Sequence, residues 1–242
     1  MRTAPPGAKS GRTNGATGVR NEDMANEKQA PSEHPAIYHI THMANLRAIV
    51  ESGGLVSDAT MIARGGPAAG IGMSSIKQRR QCLRVKCHPG RRVGEFVPFY
   101  FCPRSVMLFV IHCANNEDLR YRGGQEPIVH LEAHLRVVVA WAKRQGRPWA
   151  FSLSNAGTAY AEFRSNLNHL GHLNWNAIRS TDFRNPSVKE GKQAEFLVHD
   201  NFPWTLVARI GVLSKAVASH VQKAIRDAVH QPSIHVKPSW YF

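Results

Sequence analysis

Lys192-Gln193-Ala194-Glu195-Phe196-Leu197-Val198 is the stretch on which the fold turns. Its core, Ala194–Val198, is short, apolar and β-branched or aromatic, the composition of a buried strand. Glu195 interrupts it. Glutamate is depleted in strands and is seldom buried without a partner, so the position reads either as an edge residue or as a carboxylate held for chemistry beside a cation.

Moving outward, other short strands surround this one. Ile37–Thr41 alternates so that His39 and Thr41 share a face. Val97–Cys102, Val106–His112, Ile128–Leu131, Ala150–Ser154, Thr205–Val212 and Ser233–Val236 also read as strands. Helical spacing predicts helices over 45–51, 76–83, 159–170 and 217–229, and 135–142 fits either state. Residues 57–72 and 181–191 read as loops. Strands and helices mix without a βαβ rhythm or an internal repeat, which predicts an α+β fold in a single domain over 36–242.

Residues 1–35 are rich in Pro, Gly, Ala and Asn, contain no aromatic residue and read as a disordered tail. The whole chain of 242 residues carries a formal charge of +14. The tail holds five basic residues against four acidic ones, so +13 belongs to the remainder. A basic tail therefore does not explain the charge. The folded surface is itself basic, which points to a phosphate-bearing partner.

Several chemistries lack an anchor. The longest apolar runs, Val106–Cys113 and Val137–Ala142, fall well short of the roughly 20 residues of a membrane helix, so no membrane partner is expected. The N-terminus has no signal-peptide stretch, and four cysteines suit a reducing compartment, so the expected location is cytoplasmic. Cys82, Cys87 and His88 make half of a zinc motif with no second half, and no metal is expected. His169 and His172 sit three apart without further ligands. The glycines at 65–72 match neither a P-loop nor GxGxxG, and no GxSxG occurs.

Six ordered blocks, YHITHMANL (38–46), IKQRR (76–80), VPFYFCPRSVMLFVI (97–111), GGQEPIVHL (123–131), KQAEFLV (192–198) and FPWTLVARIGV (202–212), resemble the DarT family. These are the toxins of DarT–DarG toxin–antitoxin pairs, DNA ADP-ribosyltransferases. The resemblance implies an ADP-ribosyltransferase fold: two small packed sheets forming a central NAD cleft, with helices around them. It implies transfer of ADP-ribose from NAD to a thymine or guanine of single-stranded DNA, with release of nicotinamide. It also implies a macrodomain antitoxin of the DarG kind that reverses the modification.

By position, the resemblance makes Glu195 the catalytic glutamate and Arg80, or its neighbour Arg79, the catalytic arginine. His39, Ile40, Thr41, Ala48 and Leu55 fall where the family contacts NAD, and residues 61–80 match an NAD-binding element. Residues 155–195 span the loop that presents the target base. Arg104, Ser105, Val106, Met107, Leu108 and Phe109 match a DNA-contacting segment, as do 180–183, Lys189, Lys192 and Gln193. The chain departs from the pattern at Ser154–Gly157, where many members have a DGH-type turn, and at Val106, where many have proline. The alternatives to this reading keep the fold with RNA or another acceptor, or reduce the protein to a non-catalytic nucleic-acid-binding module.

Overall fold

The computed structural model describes residues 1, 34–182 and 184–242. The expected disordered tail therefore falls almost wholly outside the described residues. The elements run β1 Ala36–His42, α1 Leu46–Glu51, β2 Gly54–Val56, α2 Asp58–Ala63, α3 Ser74–Arg80, β3 Phe96–Tyr100 and α4 Val106–Cys113. Then come β4 Ile128–His134, α5 Leu135–Arg144, β5 Trp149–Asn155, β6 Phe163–Arg164, α6 Trp175–Arg179 and α7 Pro186–Lys192. The chain closes with β7 Ala194–His199, β8 Asn201–Pro203, β9 Arg209–Val212, α8 Lys215–Ile225 and β10 Ser233–Val236.

Eight strands form one sheet in the order β10-β9-β4-β1-β3-β7-β5-β6, and β2 pairs with β8 in a second, small one. The large sheet is nearly divided. β1 and β4 pair along seven positions, and β3 and β7 along five, but β1 meets β3 through the single pair Tyr38–Tyr100. Two four-stranded halves thus diverge from one seam, and the gap they leave is the cleft expected of the fold.

Apolar side chains from both halves fill one continuous core. Val129, Leu131 and Ile210 contribute from one half and Phe99, Phe151, Phe196 and Val198 from the other, all essentially solvent-free. α1, α5 and α8 cover this core with Leu46 and Ile49, Val138 and Ala142, and Val217 and Val221, pairs spaced three or four apart on one helix face.

Five stretches differ from the sequence expectation. In Thr205–Val212 a 3₁₀ turn over Trp204–Leu206 delays the strand to Arg209. Val106–Cys113 is a helix, not a strand. Its β-branched and aromatic composition suggests extension, but the Ser105 hydroxyl accepts the Leu108 N–H and nucleates a turn, with Leu108 and Ile111 both buried on one face. The helix expected over 159–170 is absent. Phe163–Arg164 instead pairs with Phe151 and Ser152 as β6, and a 3₁₀ turn follows over Leu167–His172. Two expected loops contain helices: α2 starts at the Ser57 cap, and α7 at Asn185 with proline at its first position.

Candidate active site

Glu195 sits at the seam's edge on β7, opposite Tyr100 of β3. The register of β5 against β7 shifts between Phe151 and Asn155, which leaves the Glu195 N–H without a ladder carbonyl. The Ser152 hydroxyl fills that place, accepting the Glu195 N–H at 3.0 Å while donating to the Ser154 carbonyl at 2.6 Å. A bulge and one serine thus fix the backbone from which the carboxylate projects.

Arg80, at the end of α3, reaches that carboxylate. Its Nη1 donates to Oε1 at 3.0 Å and Oε2 at 2.9 Å, and both residues are about 95 % buried (relative exposure 5 % and 6 %). Nε and Nη2 are buried without hydrogen-bond partners. Asp58, the first residue of α2, lies 3.9 Å from Nε, and Lys77 lies 3.6 Å from the other Asp58 oxygen. Burial works against the Arg80 charge, but Glu195 and then Asp58 outweigh it, so the guanidinium holds its proton more firmly than usual. Arg79, the alternative arginine, is exposed.

His39 projects from β1 into the same space. Its Nδ1 donates to the Pro98 carbonyl at 2.8 Å, which leaves Nε2 as an acceptor. Burial pushes its pKa down, so the ring is neutral near pH 7. Burial, then the Glu195 charge, pushes the Tyr100 phenol up, so it stays a hydroxyl donor.

These groups line one cavity of about 430 Å³, within the range that holds nucleotide-sized ligands. His39, Ile40, Thr41, Ala48, Leu55, Arg80 and Glu195, expected from separate parts of the sequence, all border it. So do Gln193 and the glycine-rich stretch 66–73, which forms one wall. Asn155 and Gln193 meet through a 2.8 Å hydrogen bond at the rim, and Lys189 stands exposed next to them on α7.

The expected DNA-contacting residues divide. Val106 and Met107 border the cavity, and Arg104 stacks on the Phe242 ring at 4.3 Å beside Phe109. Three expectations are corrected. Ser105 and Leu108 are fully buried, the first capping α4 and the second packed in a core cluster, so neither presents atoms to a strand. Lys192 is 2 % exposed, with Nζ donating to the Ile178 and Ser180 carbonyls at 2.8 Å each. It ties α7 to the end of α6 rather than binding phosphate. Phe183, in the other expected segment, lies outside the described residues.

Sequence reasoning missed Asp58, Asn45 and Ser152 at this site, and it placed Lys77 there only within the broad 61–80 segment. The Ser57-Asp58 pair is a helix-start signal, and it was the available clue to Asp58. Among the described residues no cluster of three metal-ligating side chains occurs, and no helix is long and apolar enough to cross a membrane.

A sheet parted at a seam, with a carboxylate gripped by a guanidinium at its base and a neutral histidine across from it, defines an ADP-ribosyltransferase. Comparisons with known proteins make the assignment particular. The family model described as "DarT: ssDNA thymidine ADP-ribosyltransferase" matches residues 38–242, and the chain belongs to that family. It is similar to a DNA ADP-ribosyl transferase of Thermus aquaticus, with 37 % identity over 209 residues, 85 % of this chain and 88 % of the relative. Among solved structures it resembles Thermus sp. 2.9 DarT in complex with ADP-ribosylated ssDNA, with a TM-score of 0.77, 34 % identity and coverage of 86 % of this chain and 96 % of that one. The same Thermus protein in complex with NAD+ aligns with a TM-score of 0.71 and 31 % identity, covering 88 % of this chain and 100 % of that one.

Proposed function

We propose that this chain moves ADP-ribose from NAD to a thymine of single-stranded DNA, with Glu195 and Arg80 as its catalytic residues. The observation that carries the proposal is the buried Arg80–Glu195 pair, a carboxylate held by two hydrogen bonds from one guanidinium nitrogen at the wall of a nucleotide-sized cavity.

The chemistry follows from charge. Breaking the bond between nicotinamide and C1′ of its ribose sends the electron pair to nicotinamide, which leaves neutral, and builds positive charge on the ribose. A fixed carboxylate stabilises that charge more in the transition state than in the ground state. Glu195 fills this role. Arg80 holds the carboxylate in one orientation, and its pKa bars it from acting as a free base.

Thymine has one ring nitrogen not bonded to sugar, N3, flanked by two carbonyls. The positive charge of the Arg80 guanidinium suits one of those carbonyls; polarising it eases loss of the N3 proton, which passes to Glu195. The N3–C1′ bond forms as the glycosidic bond breaks. A base inside a duplex cannot enter such a cleft, which favours a single strand. His39 Nε2 accepts from a ribose hydroxyl or the nicotinamide amide. Lys189, Gln193, Val106 and Met107 border the acceptor strand.

The toxin role, a macrodomain antitoxin that removes the ADP-ribose, and a cytoplasmic site of action complete the reading.

The test uses NAD labelled in its adenylate part with oligonucleotides of defined composition. Label is expected on thymine-containing single strands and not on strands carrying N3-methylthymine. Glu195→Gln is expected to lose at least about a hundredfold in rate, the scale on which a preorganised transition-state contact acts. Equal labelling by the variant, or labelling that ignores thymine, would sink the proposal.

A further inference from the structure

We propose that Asn45 is a positioning residue for NAD capture: its side-chain amide latches the glycine-rich wall of the cleft through the backbone of Ala69. The inference rests on the ADP-ribosyltransferase reading for what the cleft holds, though the latch itself is geometric.

Asn45 closes the 3₁₀ turn that follows β1 and is 7 % exposed. Its Nδ2 donates to the Ala69 carbonyl at 2.8 Å, and its Oδ1 accepts the Ala69 N–H at 2.9 Å. A carboxamide sets donor and acceptor side by side, so it pairs with one peptide group as a neighbouring strand would. The second Nδ2 hydrogen goes to Thr41 Oγ1 at 3.1 Å, which fixes the plane of the amide from the β1 side. Every hydrogen-bonding group of the amide is engaged, in a place where solvent is nearly excluded.

At its far end Ile71 and Met73 pack against a core cluster, but the wall's centre has few other hydrogen bonds to hold it. Gly65 and Gly66 adopt φ of +89° and +92°, and their N–H groups bond back to the end of α2. From Pro67 to Gly72 the hydrogen bonds seen among the described residues are the two to Asn45. Ala69 is the middle of that span, and all of 66–73 borders the cavity. A segment with glycines at 65, 66, 70 and 72 samples many backbone conformations when released. Pinned at its centre, it meets NAD already ordered, so binding need not supply that order.

The consequence is specific. Asn45 touches neither Arg80 nor Glu195, so releasing the loop weakens NAD binding and leaves the chemical step intact. Asn45→Asp keeps the shape and turns the donor facing the Ala69 carbonyl into an acceptor. Asn45→Ala removes both bonds. Ala69→Pro deletes the N–H from the loop side, away from the core, and serves where an Asn45 variant fails to fold.

Each variant is expected to raise KM for NAD about tenfold, the scale of losing paired, shielded hydrogen bonds, with kcat at saturating substrates and KM for the oligonucleotide within about threefold of the parent. Hydrogen exchange over 65–72, read on the protein without substrate, is expected to quicken in all three. A folded variant with unchanged KM for NAD, or with unchanged exchange over 65–72, overturns the proposal. A fall in kcat with KM unchanged overturns it as well, because the amide would then serve the chemical step. If the parent protein labels no oligonucleotide, the enzymatic reading fails by itself, and exchange together with calorimetric NAD binding still decides the latch.

Discussion

Asp58 is the carboxylate that balances the site from behind. It stands 3.9 Å from Arg80 Nε, while Glu195 grips Nη1 at 2.9 and 3.0 Å, so the guanidinium lies between two negative groups. With Asp58 neutral, the whole of the Arg80 charge falls on Glu195, whose carboxylate then opposes less positive charge on the ribose. Asp58→Asn is therefore expected to lower kcat about tenfold, a modest part of what such a charge pair exerts at this distance, with KM for NAD nearly constant. Initial rates at saturating NAD and oligonucleotide check this, and an unchanged kcat would refute it. The residues that were legible beforehand share a trait with Glu195: a polar group in a setting that disfavours it. The Glu195 carboxylate interrupts an apolar strand, and His39 faces inward from one. Arg80 stood out through the resemblance alone, because a third basic residue on a basic helix carries no signal of its own. Ser152 and Asn45 gave none either, and Asp58 gave only the helix-start signal of Ser57-Asp58. Their roles depend on a register shift, on a loop brought 24 residues back along the chain and on a helix start, none of which leaves a composition.

At the scale of elements, the segment after β10 straps the outer half of the sheet. Tyr241 is buried and donates to the Ile128 carbonyl at 2.8 Å, and Trp240 lies edge-on to Tyr38. Beneath them His130 of β4 is solvent-free, with Nε2 donating to the Pro103 carbonyl at 3.0 Å and Nδ1 3.2 Å from the Tyr241 hydroxyl. Burial pushes the imidazole down to about 4, against the pull of the Pro103 carbonyl. In the unfolded chain the same ring titrates near 6.5, so between those values the unfolded state binds a proton that the folded state refuses. Stability therefore falls as pH drops from about 6.5 to about 4, by about 3 kcal/mol from this ring, and is intact above that window. Urea unfolding from pH 7 to pH 4.5 should show a steeper loss for the parent than for His130→Asn. Equal slopes would refute the assignment. The elements that sequence patterns missed were decided by such tertiary partners. Val106–Cys113 has the composition of a strand, yet Ser105 caps it and Leu108 and Ile111 dock it as a helix. The 159–170 stretch has helical spacing, yet β5 offers an edge at Phe151 and Ser152 that Phe163–Arg164 completes. α7 carries its own signals, Asn185 as cap and Pro186 at the first position, within a stretch whose polarity suggests a loop.

Across the whole molecule, the excess of +13 outside the first 35 residues now has a geometry. The cations close to the chemistry are mostly spoken for: Arg80 by Glu195, Lys77 by Asp58 and Lys192 by carbonyls of the α6 end. They shape the cleft and contribute little to drawing in a distant strand. Attraction must come from exposed residues at the acceptor rim, such as Arg79 on α3 and Lys189 on α7, which stand outside the cavity on its Asn155–Gln193 side. The two substrates should consequently differ in their response to salt. A single strand that meets about three phosphate contacts releases counterions with a slope near −2 in log–log form, so raising salt from about 50 to 200 mM weakens it by roughly twentyfold. NAD brings only a pyrophosphate and sits in a walled cavity where screening is weaker, so its KM should move by no more than about threefold over the same range. Paired titrations of KM for oligonucleotide and for NAD measure both slopes. Lys189→Ala should flatten the oligonucleotide slope by about 0.7, one contact's worth, and leave the NAD slope alone, whereas Lys192→Met should change neither slope. Parallel slopes for the two substrates would mean that the basic surface serves something other than the acceptor strand.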